Sequence, residues 1–218
     1  MPFEISLIAR IIPTLAEGLS LTLTLSALAI IFSAAWGLPV VLGLMSNLTP
    51  LRLVTRAYVE FVRNTPVLVQ MYFIFFGSSM IGYRLSGFAA GLTAITLQNG
   101  AYIAEIYRAG IQSVSQRQME AGLAIGLTPR AAFRTVVLPQ AFRKIVPPLS
   151  NQGIVIIKDT ALVATLSVAE LTFQARMLAD RTAAVYEIFF TLALFYIAIT
   201  SAFALFMRFV ELRVRIVT

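Results

Sequence analysis

The sequence predicts an all-α membrane protein, one domain over residues 1–218 with five transmembrane helices. Three observations predict it. The chain is 59% hydrophobic and only 12% charged, with a mean hydropathy of +0.86, more apolar surface than a soluble domain of this size needs. The charges are segregated: uncharged runs cover 18–51, 64–83, 85–104 and 188–207, each at least as long as the roughly 20 residues a helix needs to cross a bilayer. Between apolar segments lies a stretch, 115–139, whose Arg117, Glu120, Arg130 and Arg134 keep it on the membrane surface.

Taken in order, residues 1–17 place Ile5, Ile8, Ile11 and Ile12 on one face of an interfacial helix. Glu4 and the length of the following apolar run argue against a cleaved signal peptide. The first span lies near 19–44, and Gly18, Thr22 and Thr24 at its start are small residues suited to a helix contact. Residues 46–56 form a short turn. Thr65 and Pro66 are cap and first-turn signals for the second span, near 66–81, which carries Gln70 and Tyr72. After an outer turn at 82–87, the third span, near 87–111, carries Asn99, Glu105 and Arg108.

In 115–139, Ser115 and Gln118 have capping-box spacing and open a short helix to about Ala124, with Met119 and Leu123 on one face. Gly126 is placed to end it in the left-handed conformation. Thr128 and Pro129 open a second short helix with Phe133, Val136 and Val137 on its apolar side, and Pro139 is expected to end it. The fourth span, near 145–169, is interrupted by Lys158 and Asp159 about midway. Residues 171–187 turn polar and are expected outside. The last span is near 188–207.

Net charge is +7, yet the positive residues follow topology rather than forming a nucleic-acid surface. With 115–139 cytoplasmic, twelve of the 17 basic residues lie inside, among them Arg52, Arg56, Arg143, Lys144, Arg208, Arg213 and Arg215. Arg10, Arg84, Arg176 and Arg181 lie outside. The positive-inside rule then puts the N-terminus outside and the C-terminus in the cytoplasm. Without histidine or cysteine, the chain has no Ser–His machinery, no usual zinc or haem ligands and no thiol chemistry. No phosphate-cradling glycine loop is present, so energy must come from a partner or a gradient.

Glu120-Ala121-Gly122, then Gly126, then Val136, Leu138 and Pro139 resemble the EAA loop of bacterial binding-protein-dependent ABC importer permeases, whose pattern is Glu-Ala-Ala, three residues, Gly, nine residues, Ile, one residue, Leu-Pro. Gly122 stands where that pattern has its second Ala, and Val136 where it has Ile. Upstream, Tyr58-Val59-Glu60 and Arg63-Asn64-Thr65-Pro66 resemble the same family, with Asn64 in place of Gly. Gly100-Ala101-Tyr102, Ala104-Glu105, Arg108 and Gly110-Ile111 resemble its polar amino acid branch. So do Leu138-Pro139-Gln140-Ala141, Pro147-Pro148 and Lys158-Asp159-Thr160-Ala161-Leu162, although Ala161 replaces the usual Ser and Arg117 the usual Gly. The resemblance covers about 19–170 and implies a type I ABC importer permease fold with a cytoplasmic coupling helix.

It also implies an assembly in the bacterial inner membrane. Two ATP-binding cassette subunits would bind ATP and magnesium and perform hydrolysis, so this chain would hold no cofactor and would not itself be an enzyme. A second permease chain, identical or related, would complete the path. A periplasmic or lipid-anchored binding protein would deliver a polar amino acid. The resemblance assigns coupling to Glu120, Ala121, Gly122 and Gly126, with Arg117 and Arg130 beside them. The residues themselves suggest where a zwitterion is held. Lys158 offers a cation and Asp159 an anion, Thr160 adds a hydroxyl, and Asn99 and Glu105 complete the group from the third span. The competing reading is an ion- or proton-coupled carrier that uses Lys158, Asp159 and Glu105 as a relay; a membrane scaffold without transport is a third.

Overall fold

The computed structural model describes residues 5–214, with side chains from Leu7 onward. The expectations for Ile5 as an apolar face residue and for Arg215 therefore lie outside the described side chains. Every element described is helical: α1 (Ile5–Leu44), α2 (Thr49–Arg63), α3 (Val67–Met80), α4 (Gly87–Gln112), α5 (Gln116–Ala124), α6 (Pro129–Ala132), α7 (Leu138–Asp159), α8 (Leu171–Thr182) and α9 (Val185–Val214). A π-helical turn, Phe133–Val137, joins α6 to α7, and a 3-10 segment, Thr160–Leu166, extends α7.

The helix α4 is central, packing on α1, α2, α3 and α7. Leu25 and Ala29 of α1, Met71 of α3, Ala94 and Ile95 of α4 and Ile156 of α7 meet in the main apolar cluster. A second cluster joins Ile11 and Leu15 of α1 to Leu171, Ala175 and Ala179 of α8 and Ile188 of α9. A third joins Val40 and Val41 of α1, Val59 and Val62 of α2, and Ala101 and Ala104 of α4. Small residues set these contacts, as expected where lipid gives no hydrophobic drive between helices. Gly153 of α7 is one: a β-carbon there would collide with the Phe203 ring of α9.

Several boundaries differ from the sequence reading. The expected interfacial segment and first span are one continuous helix that tolerates Pro13 and Pro39. Most of the expected turn at 46–56 belongs to α2. Thr65 does not cap α3; its hydroxyl donates to Phe61 O at 2.7 Å, closing the end of α2, while Gln70 Nε2 donates to Val62 O and Thr65 O at 2.9 and 3.1 Å. Pro139 does not stop the chain. It sits in the first turn of α7, where a missing N–H is harmless, and the wide π turn before it leaves room for the ring. The polar segment after 170 is largely helical. It is α8, amphipathic, with Leu171, Ala175 and Ala179 buried and Arg176 and Arg181 exposed.

Two helices, Leu7–Leu44 and Val185–Val214, are individually long and apolar enough to cross a bilayer. By its 26 residues α4 is about 39 Å long and has the reach, but it carries more polar groups. With 14 residues, α3 is about 21 Å long, shorter than the hydrocarbon core, so neighbouring turns must complete its crossing.

Candidate functional site

Asn99 anchors a polar seam between α4 and α7. It is 1% exposed, and it is held on its own helix because Nδ2 donates to Ile95 O at 3.0 Å. The same amide donates to Asp159 Oδ2 at 3.2 Å, and Asn99 Oδ1 accepts from Gln152 Nε2 at 2.6 Å. Gln152 and Asp159 are seven residues, two turns, apart on α7 and share a face. Asn151, Val155 and Lys158 form an exposed stripe beside that face. A buried seam of this kind inside a helix bundle is expensive in lipid and needs a polar occupant or partner on its open side.

The structure brings Asn99 and Asp159 together, with Lys158 one residue away at the last turn of α7. The α-helix ends at Asp159 and tightens into the 3-10 segment, so the charged pair marks a change of helix type rather than the middle of a straight helix. Thr160 points elsewhere: it is fully buried and its hydroxyl donates to Ile157 O at 2.7 Å. Glu105 is also apart. Its carboxylate accepts from Arg108 Nη2 at 2.6 Å and Nε at 2.9 Å, so it is neutralised locally and does not bind Lys158. With Arg63, Tyr102 and Gln152 it lines a cleft of about 540 Å³ that meets the seam at Gln152; in it the Arg63 guanidinium lies 5.0 Å from the Tyr102 ring centre.

The surface loop is two short helices joined at Gly126. Gly126 has φ +87, and its N–H donates to Leu123 O at 3.0 Å while Leu127 N–H donates to Gly122 O at 3.2 Å. These paired bonds satisfy the carbonyls left open at the end of α5. Thr128 caps α6 by accepting from Ala131 N–H at 3.3 Å. The expected capping box at Ser115 is not formed; Gln118 Oε1 instead accepts from Gln140 Nε2 at 3.1 Å, tying α5 to α7. Arg117, Glu120, Ala121, Gly126 and Arg130 are all exposed. Gly122 is buried, and a β-carbon there would lie 3.0 Å from Ala132 Cβ, so α5 and α6 pack closely at this point.

A third polar group was not anticipated. Glu170, fully buried, accepts from Phe173 N–H at 2.8 Å through Oε1, and from Tyr196 OH at 3.2 Å and Thr22 OH at 3.3 Å through Oε2. It caps α8 and ties α8 to α1 and α9. Gly18 lets the start of α8 approach α1, since a β-carbon there would meet the Leu171 backbone at 2.9 Å.

A helix bundle with a polar seam and a capped helical loop at one end is compatible with a transport permease, and the comparisons show the family. The family described as "Binding-protein-dependent transport system inner membrane component" matches residues 29–216, and the chain belongs to it. It is 38% identical over 224 residues to the glutamine transport system permease protein GlnP of Escherichia coli K12, covering 99% of this chain and 100% of that one. It is 36% identical over 197 residues to the probable glutamine ABC transporter permease protein GlnM of Bacillus subtilis, covering 90% and 91%. A solved structure described as an amino acid ABC transporter with histidines superposes with a TM-score of 0.91 at 36% identity, covering 98% of this chain and all of that one. The MetNI methionine ABC transporter shares the fold at TM-score 0.78 and 19% identity. The chain is thus an inner-membrane permease component with the type I ABC importer fold, working with ATPase subunits and a substrate-binding protein, and hydrolysis belongs to those ATPase subunits. The comparisons give the ion-coupled carrier reading no support.

Proposed function

We propose that this chain pairs with a second permease chain, identical or related, to conduct a polar amino acid across the bacterial inner membrane. The seam Gln152–Asn99–Asp159 with Lys158 at its edge carries this reading. Lys158 faces the substrate carboxylate and Asp159 the ammonium, with Asn99 holding Asp159 in place. The exposed stripe on α7 requires a facing chain, because one bundle of this size leaves it open to lipid. Two ATPase subunits engage the α5–α6 loop from the cytoplasm. Five crossings then put the N-terminus outside, and α8 with Arg176 and Arg181 meets the binding protein. The likeness to glutamine permeases at 38% and 36% identity points to a neutral polar amino acid. So does the ion pair that neutralises Glu105, the remaining carboxylate near the seam.

Reconstitution tests it. Proteoliposomes holding the chain with its ATPase subunits, supplied with loaded binding protein, should take up labelled glutamine only with ATP on the cytoplasmic side. Uptake driven by a proton gradient without ATP would overturn the reading.

A further inference from the structure

A cleft of about 950 Å³ lies away from the seam. It is lined by the first turns of α7 and the last turns of α9, and adjoins the α5–α6 loop through Gln118 and the π turn after it through Thr135 and Val136. Its charged lining is Arg143, Lys144 and Arg208 against a single carboxylate, Glu211; Val146, Pro147 and Leu212 supply an apolar wall. Lys144 is partly engaged, donating to Ser113 O at 2.7 Å. Arg143 is half-buried, yet among the described residues neither it nor Arg208 has a hydrogen bond or an ion pair, the one ion pair being Glu105–Arg108. A guanidinium withdrawn from water without an acceptor is costly, and phosphate oxygens are its best-matched partners.

We propose that this cleft binds an anionic phospholipid of the inner leaflet, its headgroup phosphate held by Arg143 and Arg208 and an acyl chain lying along Val146, Pro147 and Leu212. Cations and an apolar wall share one opening, so the cleft matches a molecule with both parts, whereas a free anion would use the cations alone. Basic pockets between membrane helices on the cytoplasmic side recognise lipid headgroups in this way. The inference rests on the cytoplasmic placement of the loop proposed above and is independent of the substrate seam.

Native mass spectrometry of the assembled, delipidated transporter tests it, with palmitoyl-oleoyl phosphatidylglycerol and the phosphatidylcholine of the same chains as probes. Wild type should prefer phosphatidylglycerol, and Arg143→Gln with Arg208→Gln should weaken that lipid on the order of tenfold or more while phosphatidylcholine adducts stay unchanged. Arg143→Lys with Arg208→Lys should keep most of the preference. Where the double glutamine variant does not assemble, Arg208→Gln alone, at an exposed position, should show a smaller loss in the same direction. Equal phosphatidylglycerol binding by wild type and a glutamine variant would overturn the proposal. Displacement of the lipid by millimolar inorganic phosphate would do so by assigning the cleft to a soluble anion. Absence of phosphatidylglycerol adducts from the assembled wild-type transporter, its ATPase subunits in place, would do so by assigning the cleft to a protein partner. Uptake by the variants is a separate readout, so failure here leaves the transport reading untouched.

Discussion

Glu170 shows what a carboxylate needs inside an apolar bundle. Three donors from three helices, the Phe173 N–H and the Thr22 and Tyr196 hydroxyls, take the place of water. Glu170→Ala should strand those donors and lower the stability of the assembled complex by roughly 1–3 kcal/mol, seen as a lower thermal midpoint in detergent. Glu170→Gln should cost less, because its oxygen still accepts from Phe173 and the hydroxyls can turn to accept from its amide. An unchanged midpoint in Glu170→Ala would mean that the network does not hold α8. In the sequence, Lys158 and Asp159 stood out because charges inside an apolar run are rare. Gln152 did not, since Ser150-Asn151-Gln152 reads as an ordinary polar patch; its spacing of two turns from Asp159 was the available signal. Glu170 was visible only as the end of an apolar run, because its partners Thr22 and Tyr196 are 148 and 26 residues away.

Among the elements, the α5–α6 loop was the most legible, because its signals are local. Gly126 and Thr128-Pro129 act through backbone geometry that a few residues decide. Pro139 reads in the sequence as a stop, but a π turn precedes it and it falls in the first turn of α7. Glu120 sits in the second turn of α5, exposed and beyond the strong field of the helix end. Glu120→Ala should therefore cost the fold less than about 0.5 kcal/mol and leave membrane insertion intact, while weakening ATPase co-purification or separating hydrolysis from uptake. Wild-type uptake, stimulated normally by the binding protein, would remove Glu120 from the docking surface. The burial of α8 was hidden because half its residues are polar. Its inner stripe, Leu171, Ala175 and Ala179, repeats every four residues and was the sign of a packed helix. Arg176→Glu with Arg181→Glu changes only its outer face and should reduce ATP hydrolysis stimulated by loaded binding protein at moderate salt, with the unstimulated rate preserved. Equal stimulation would leave α8 as a packing helix alone.

At the scale of the whole molecule, the helical class and the order of the apolar segments were legible because bilayer thickness fixes segment length. The pairing of helices was not. The contacts among α1, α4 and α7 depend on glycine and alanine at positions that a hydropathy pattern does not separate from other apolar residues. Packing on α4 is what sets Asn99 against Asp159, and on the function proposed above that seam is where the substrate passes rather than merely a structural tie. The measurement that bears on it most directly is amino acid uptake by reconstituted Asp159→Asn complexes at saturating loaded binding protein, with assembly and ATP hydrolysis followed in the same preparation. Losing a charged contact of about 1.5–3 kcal/mol should lower uptake on the order of tenfold or more, with an intact complex that still hydrolyses ATP. Uptake at the wild-type rate by an intact Asp159→Asn complex would contradict the account.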